Sequence, residues 1–370
     1  MNKKLKPFLN IGPGQIIKRE MEALNWSQID LSEIISMAPK SISQMINNKQ
    51  SITVETAFLL SKAFDSSPEF WMNLEQNYRL RLKEDGQRES ETSTKAEIRR
   101  HVPLLEMKKK GWVSFDSTAK SQVQAYCNFW QQKKPDFSSY DKQAPAFHAR
   151  KSKADPEYTK NYSITWLQKA HIEVSLLADK AAAYNATRLE KLAVEIPTYS
   201  LKPDGVKTFI QDLYKTGVHF FILSHLPKTY LDGAAFQVKN KKCIVYTARH
   251  NRVDNFWFTI AHEIAHILKH VKTEKDCFLD NLDEESADRR EKEADALAEK
   301  WMLTKEILKL AKPHAKYLSH TKLLEISATL NIEPSIIVGA LQHHGIIEAR
   351  KLNKYKQEVK KLIPKKYHRG

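Results

Sequence analysis

Cysteine is scarce in this chain: of 370 residues, only Cys127, Cys243 and Cys277 carry a thiol. Three thiols, far apart and odd in number, argue against a disulfide framework and against a cysteine-based zinc site, and point to a reducing compartment. Long apolar runs are missing too. None approaches the ~20 residues that span a bilayer, so no membrane partner is expected. The opening MNKKLKPFLN is basic but lacks the apolar core and small-residue cleavage site of a signal peptide, and a cytoplasmic location is expected. Convincing strand patterns are absent from residues 10 to 84.

What is present fits a soluble globular protein of two or three domains, with 41% hydrophobic and 28% charged residues. The formal charge of +16 favours polyanionic partners, although its location matters more than its total. The head up to about residue 84 is nearly balanced, and the excess of lysine and arginine lies after residue 94 and from Lys351 onward. Four segments follow: a helical head (1–84), a linker and helical middle region (85–200), an α/β part (201–350) and a basic tail (351–370). Within the second, LKEDGQRESETSTKAE (82–97) reads as a linker or an exposed helix extension. The middle region carries scattered aromatics and no chemical motif.

From residue 203 the pattern changes. A helix over 203–216 leads to VHFFIL (218–223), short enough for a buried strand. GAAFQV (233–238) and KCIVYT (242–247) then read as a hairpin turning at KNKK, followed by helices over roughly 252–270 and 287–303. The fold class expected is mainly α with a smaller α+β part.

In the head, Ile16, Ile17, Met21 and Leu24 recur at helical spacing. Ser27 is a good N-cap for a second helix, with Asp30 completing a weak capping box, and that helix is expected to turn Ile29, Ile34 and Ile35 inward. A third helix opens at Ala38-Pro39, where proline is tolerated in the first turn, and buries Ile42, Met45 and Ile46. Thr53 caps a fourth. Two small helices joined by a tight turn are the helix-turn-helix signature. The outward residues Lys40, Ser41, Gln44 and Asn47 have the hydrogen-bonding chemistry to read base edges, and Gln28 can donate to a phosphate. Pattern alone leaves DNA binding and a protein-binding helical module both open.

The run over about 12–80, including SPEFWMNL (67–74), resembles the HigA-type antitoxin branch of the Cro/repressor-like helix-turn-helix family. The resemblance implies base reading at Pro39, Lys40 and Gln44, a homodimer, and double-stranded operator DNA as partner. Asn48 stands where that family has glycine, and asparagine tolerates the left-handed conformation.

The sharpest chemical signal is RVDNFWFTIAHEIAHILKH (252–270). Residues four apart stack on one helix face, so His262 and His266 can present two imidazoles to one metal ion. Glu263 beside them can take a proton from metal-bound water. A catalytic site needs a third protein ligand and an open position. Candidates lie in DRREKEADALAEKWML, whose apolar stripe is Ala294, Leu297, Ala298 and Trp301. Glu293 borders that stripe, Glu291 and Glu299 lie further round towards solvent, and Asp295 points away, so Glu293 is the best geometric choice, with Asp295 a poor second.

FTIAHEIAHILKH together with EKEADALAEKWML resembles the ImmA/IrrE-type metallopeptidases. That resemblance implies a zincin-like domain with a small β-sheet, Glu293 as third ligand, and a repressor, antitoxin or toxin protein as partner. Two histidines and a glutamate suit Zn2+ best, ahead of Mn2+ or Fe2+. The combined expectation is a DNA-binding, antitoxin-like regulator carrying a zinc-dependent endopeptidase. The alternative is a non-enzymatic repressor that keeps the metallopeptidase fold as a sensor or partner-binding module.

Overall fold

The computed structural model describes residues 10–83, 87–137, 156–177, 182–227, 229–280 and 288–369. The chain divides into two compact units, Met1–Ala96 and Glu97–Gly370.

The first unit is built from helices α1 (Pro13–Ala23), α2 (Gln28–Ile34), α3 (Pro39–Ile46), α4 (Val54–Ala63) and α5 (Pro68–Lys83). The capping box at α2 forms as the sequence predicts: Asp30 N donates to Ser27 Oγ (3.2 Å), and Ser27 N donates to Asp30 Oδ2 (2.6 Å). Thr53 Oγ1 accepts from Thr56 N at 3.2 Å and caps α4. Ile17, Met21, Leu31, Ile35, Ile42, Met45, Leu60 and Trp71 make the core. Two residues expected inside lie outside: Ile29 is 63% and Ile34 48% exposed. In a seven-residue helix the inward stripe is Leu31 and Ile35, one turn apart, and it leaves the other isoleucines on the far side. Asn48 adopts φ +55°, and its Oδ1 also accepts from Gly14 N at 2.8 Å. The replacement for glycine thus ties α3's end to the start of α1.

Residues 87–101 form α6 (Gln87–His101), so the polar stretch 82–97 is largely helix extension; residues 84–86 lie outside the described residues. The second unit continues with α7 (Leu104–Lys109), α8 (Ala119–Trp130), α9 (Pro156–Leu176), α10 (Ala186–Val194), α11 (Ile196–Ser200) and α12 (Gly205–Lys215). Then come β1 (Val218–Leu223), β2 (Gly233–Val238), β3 (Lys241–Tyr246), α13 (Val253–Lys269), β4 (Cys277–Asp280) and α14 (Arg289–Trp301). After α15 (Thr304–Ala311), α16 (His320–Leu330) and α17 (Pro334–His343), the chain returns as β5 (His368–Arg369).

The sheet order is β4-β2-β3-β1-β5. β1 is parallel to β3 and to β5, while β2 is antiparallel to both β3 and β4. Lys239 and Asn240 both take positive φ, which lets a two-residue turn follow the strand twist. Strand periodicity sorts side chains to two faces. Phe221, Leu223, Ala234, Phe236, Cys243 and Val245 pack against Trp166, Leu167, Ala170 and Val174 of α9. On the other face Phe220, Ile222, Ala235, Ile244 and Tyr246 meet Phe256, Trp257, Ile260 and Ile264 of α13. A helix apolar on nearly every side is a core helix, and α13 is the central one.

Two of the expected segment boundaries are not boundaries in the structure. Leu189, Leu192, Ala193 and Ile196, from the segment ending at 200, share one core with Phe209 and Trp257. Val359 and Ile363, from the basic tail, belong to that core as well, and Ile222 pairs with His368. Lysines alternate there with buried aliphatics, so composition hides an integral element. Among the described residues no single helix is long and apolar enough to cross a membrane.

Candidate functional site

α13 positions the three motif residues. His262, Glu263 and His266 are each 0% exposed, and the i,i+4 spacing brings their rings to 4.7 Å between centroids. His262 Nε2 and His266 Nε2 converge at 2.9 Å. The carboxylate facing them is Glu291, with Oε2 3.4 Å from His262 Nε2 and Oε1 3.6 Å from His266 Nε2. Burial pushes the Glu291 carboxyl up, and the hydrogen bonds from His262 and His266 outweigh it, holding the group well below the usual carboxylate range.

This places the third acidic residue differently from the sequence expectation. Glu293 is 48% exposed and lies 3.5 Å from His270 Nε2, away from the convergence point. Glu291 is 1% exposed. The reason is the phase of α14: Glu291, Ala294, Ala298 and Trp301 fall at helical spacing and are all buried, whereas Leu297, which suggested Glu293, is only partly buried. The signal was in the sequence, at spacings three, seven and ten from Glu291.

The three ligand atoms on His262, His266 and Glu291 lie within 4.8 Å of one another. Tetrahedral zinc with bonds of 2.0–2.1 Å has donor–donor edges of about 3.3 Å, and the separations of 2.9, 3.4 and 3.6 Å bracket that value. The donor set therefore fits a single small metal ion.

Three supporting residues were not singled out from the sequence as such. Asp295, on the next turn of α14, has Oδ1 2.9 Å from His262 Nδ1. Phe278 of β4 stacks on His266, with centroids 4.2 Å apart and planes 20° apart. Gly233 opens β2 opposite Glu263, and a Cβ there would stand 2.1 Å from Glu263 Oε1. Only glycine leaves the glutamate its place. The glycine was visible at the head of GAAFQV, and nothing local linked it to a helix 30 residues on. On the far side of His266, Nδ1 lies 3.0 Å from His270 Nδ1; burial, then the His266 ring, push His270 down, against the pull of Glu293. One turn before His262, Phe258 helps line a cavity of about 120 Å³ with Asn255, Glu299, Met302, Gly339 and His343.

In the first unit Gln28, Pro39, Lys40, Gln44 and Asn47 are exposed and Ser41 is half-buried. Asn47 Nδ2 donates to Ser43 O at 2.8 Å. Pro39 starts α3, preceded by a tight turn in which Ser36 has φ +52°.

Comparison with known proteins agrees with both units. A helix-turn-helix model matches residues 17–71, and the IrrE N-terminal-like domain of the M78 peptidase family matches residues 205–338. An uncharacterized HTH-type transcriptional regulator of Haemophilus influenzae is 35% identical over 91 residues, 24% of this chain and 85% of that protein. YbaQ, another such regulator from Escherichia coli, is 39% identical over 64 residues, 17% of this chain and 57% of YbaQ. Among solved structures, the Pseudomonas aeruginosa antitoxin HigA with higBA promoter is 27% identical, covering 20% of this chain and 82% of its own, at a TM-score of 0.20. A HigA-family antidote protein from Coxiella burnetii is 28% identical, covering 25% and 95%, at a TM-score of 0.21. This chain therefore belongs, through its first unit, to the helix-turn-helix family of HTH-type transcriptional regulators, and its second unit carries a match to the IrrE N-terminal-like domain of the M78 peptidases.

Proposed function

We propose that this protein is a DNA-binding regulator whose second unit is a zinc-dependent endopeptidase that cuts a repressor or antitoxin protein. The observation that carries this reading is the buried convergence of His262, His266 and Glu291 with Glu263 beside them. A pure binding module has no use for that glutamate.

His262 and His266, through Nε2, and Glu291 would hold the ion, with a fourth position left for water. A zinc ion held there would supply Lewis acidity, lowering the pKa of a bound water and polarising a carbonyl. Glu263 is the residue placed to accept a proton beside it and to return one to a leaving amine. Asp295 faces His262 Nδ1, which keeps the proton on that nitrogen and the Nε2 lone pair towards the ion. Gly233 lets Glu263 lie against β2, and Phe278 fixes the plane of His266.

In the first unit, Lys40, Ser41 and Gln44 read base edges, while Gln28 and Asn47 position the domain on the duplex. Pro39 lacks an N–H and serves to start the helix. As a homodimer the domain would meet operator half-sites roughly 34–36 Å apart.

One observation favours a second reading, a regulator whose peptidase fold senses or binds a partner without cutting it. Glu263 is 0% exposed, so a peptide reaches it only after the second unit opens. The deciding experiment measures bound metal and proteolysis in the parent and in Glu263→Gln, each incubated with the repressor or antitoxin encoded beside it. One zinc in both, with cleavage by the parent alone, supports the peptidase. Zinc in both and no cleavage supports the second reading, and no metal in the parent removes the site.

A further inference from the structure

The second unit gathers basic groups at one end of its sheet, the end at which Gly233 pairs with Tyr246. β1 and β3 are adjacent and parallel, ending at Leu223 and Tyr246, so the loops that follow leave from the same edge. The first carries Ser224 and His225, the second Arg249 and His250. Lys110, at the end of α7, donates from Nζ to Ser224 Oγ at 2.6 Å. Lys360 N donates to Asn251 Oδ1 at 2.9 Å, which brings the returning chain against the second loop.

We infer that these two loops, with Lys110 and Lys360 beside them, form a binding site for a compact phosphate-class anion. Loops at the carboxyl ends of parallel strands are where open α/β sheets bind ligands. All five basic groups are half-buried. Among the described residues, Arg249 pairs with Asp232 at 3.3 Å and donates to Tyr230 O at 2.7 Å, while Glu106, which also acts on Lys110, lies 2.7 Å from Lys109 Nζ.

The crowding is visible in the imidazole at its centre. Burial, then the charges of Lys110, Arg249, Lys360 and His250, push His225 down to about 4. Lys110 is lowered as well, by burial and then by Lys360. A fold that assembles like charges around one point bears a cost, and such perturbed clusters mark functional sites. An anion placed there removes that repulsion and gains charge-assisted hydrogen bonds. A site confined to two adjacent loops and the lysines beside them matches one or two phosphate groups. A duplex backbone would require cations strung along several phosphates.

The test is calorimetric titration of the full chain with pyrophosphate at 0.15 M salt, for the parent, for Lys110→Gln/Lys360→Gln and for Glu291→Gln. The parent should bind one equivalent. The double variant should lose at least tenfold in affinity while keeping its melting temperature and zinc content. Glu291→Gln should bind as the parent does, because the anion is not held at the metal centre. Binding should also raise the His225 pKa by about one unit or more in an NMR titration, as an opposite charge within a few ångströms does. The inference is overturned by no saturable binding, by binding that survives the double substitution, by loss of binding in Glu291→Gln, or by an unmoved His225. A Lys110- and Lys360-dependent preference for non-operator duplex DNA over pyrophosphate would also overturn it, in favour of a nucleic-acid surface.

Discussion

The assignment of the third ligand can be tested by exchanging one oxygen for one nitrogen at two positions on the same helix. Glu291→Gln removes the negative charge that stands 3.4 and 3.6 Å from the two imidazole Nε2 atoms. Glu293→Gln removes a charge that is half exposed and 3.5 Å from His270. Loss of a residue that merely supports a ligand costs about 10- to 100-fold in metal affinity, so loss of a ligand should cost at least about 100-fold, roughly 2.7 kcal/mol. The Glu293 substitution should stay within about threefold of the parent, since exposed ion pairs contribute little. Competition of each purified protein against a chromophoric zinc chelator at pH 7.5 gives the affinities directly. Both variants retain side-chain volume, so unchanged helical circular dichroism is expected. Release of the metal by Glu293→Gln and its retention by Glu291→Gln would refute a helix α14 that turns Glu291 inward.

Four further outcomes are expected. Gly233→Ala should bind zinc normally yet lose activity about 100-fold, because Glu263 must shift by about 1 Å to clear the new methyl; cleavage rate beside metal content separates the two effects. Asp295→Asn should weaken zinc about 10- to 100-fold, measured by the same chelator competition. Ile363→Ala should destabilise the second unit by about 2–5 kcal/mol, read from urea unfolding, since this residue of the basic tail is 3% exposed. Burial pushes His171 down to about 4 from an ordinary value near 6.5. Its folded pKa is thus depressed, the unfolded chain takes up the proton first, and stability present above pH 6.5 falls as the pH drops towards 4. The loss from this group is about 3 kcal/mol at most, and His171→Phe should flatten that part of the urea-midpoint profile.

Local information was legible and long-range information was not. The His262–Glu263–His266 cluster, the strands at 218 and 233, the capping box at Ser27 and the left-handed Asn48 each follow from a few neighbouring residues. What escaped involves partners far apart in sequence. β4 is four residues long and acquires meaning only through its pairing with β2, and β5 pairs two residues with a strand far upstream. Glu291 was within reach, because its own helix carries the periodicity that buries it. Leu297 misled by being apolar without being deeply buried, and Ile29 and Ile34 misled in the same way.

The return of the chain to β1 also sets the order in which the two units take shape. The first unit closes its core among residues 17 to 71, through neighbouring helices, and domains of that kind fold in roughly microseconds to milliseconds. The core beneath the metal site runs from Leu189 to Ile363, and its sheet joins Ile222 to His368. Contacts of such long sequence separation take roughly milliseconds to seconds to form. A newly made chain thus completes its helix-turn-helix core before His262, His266 and Glu291 are held together.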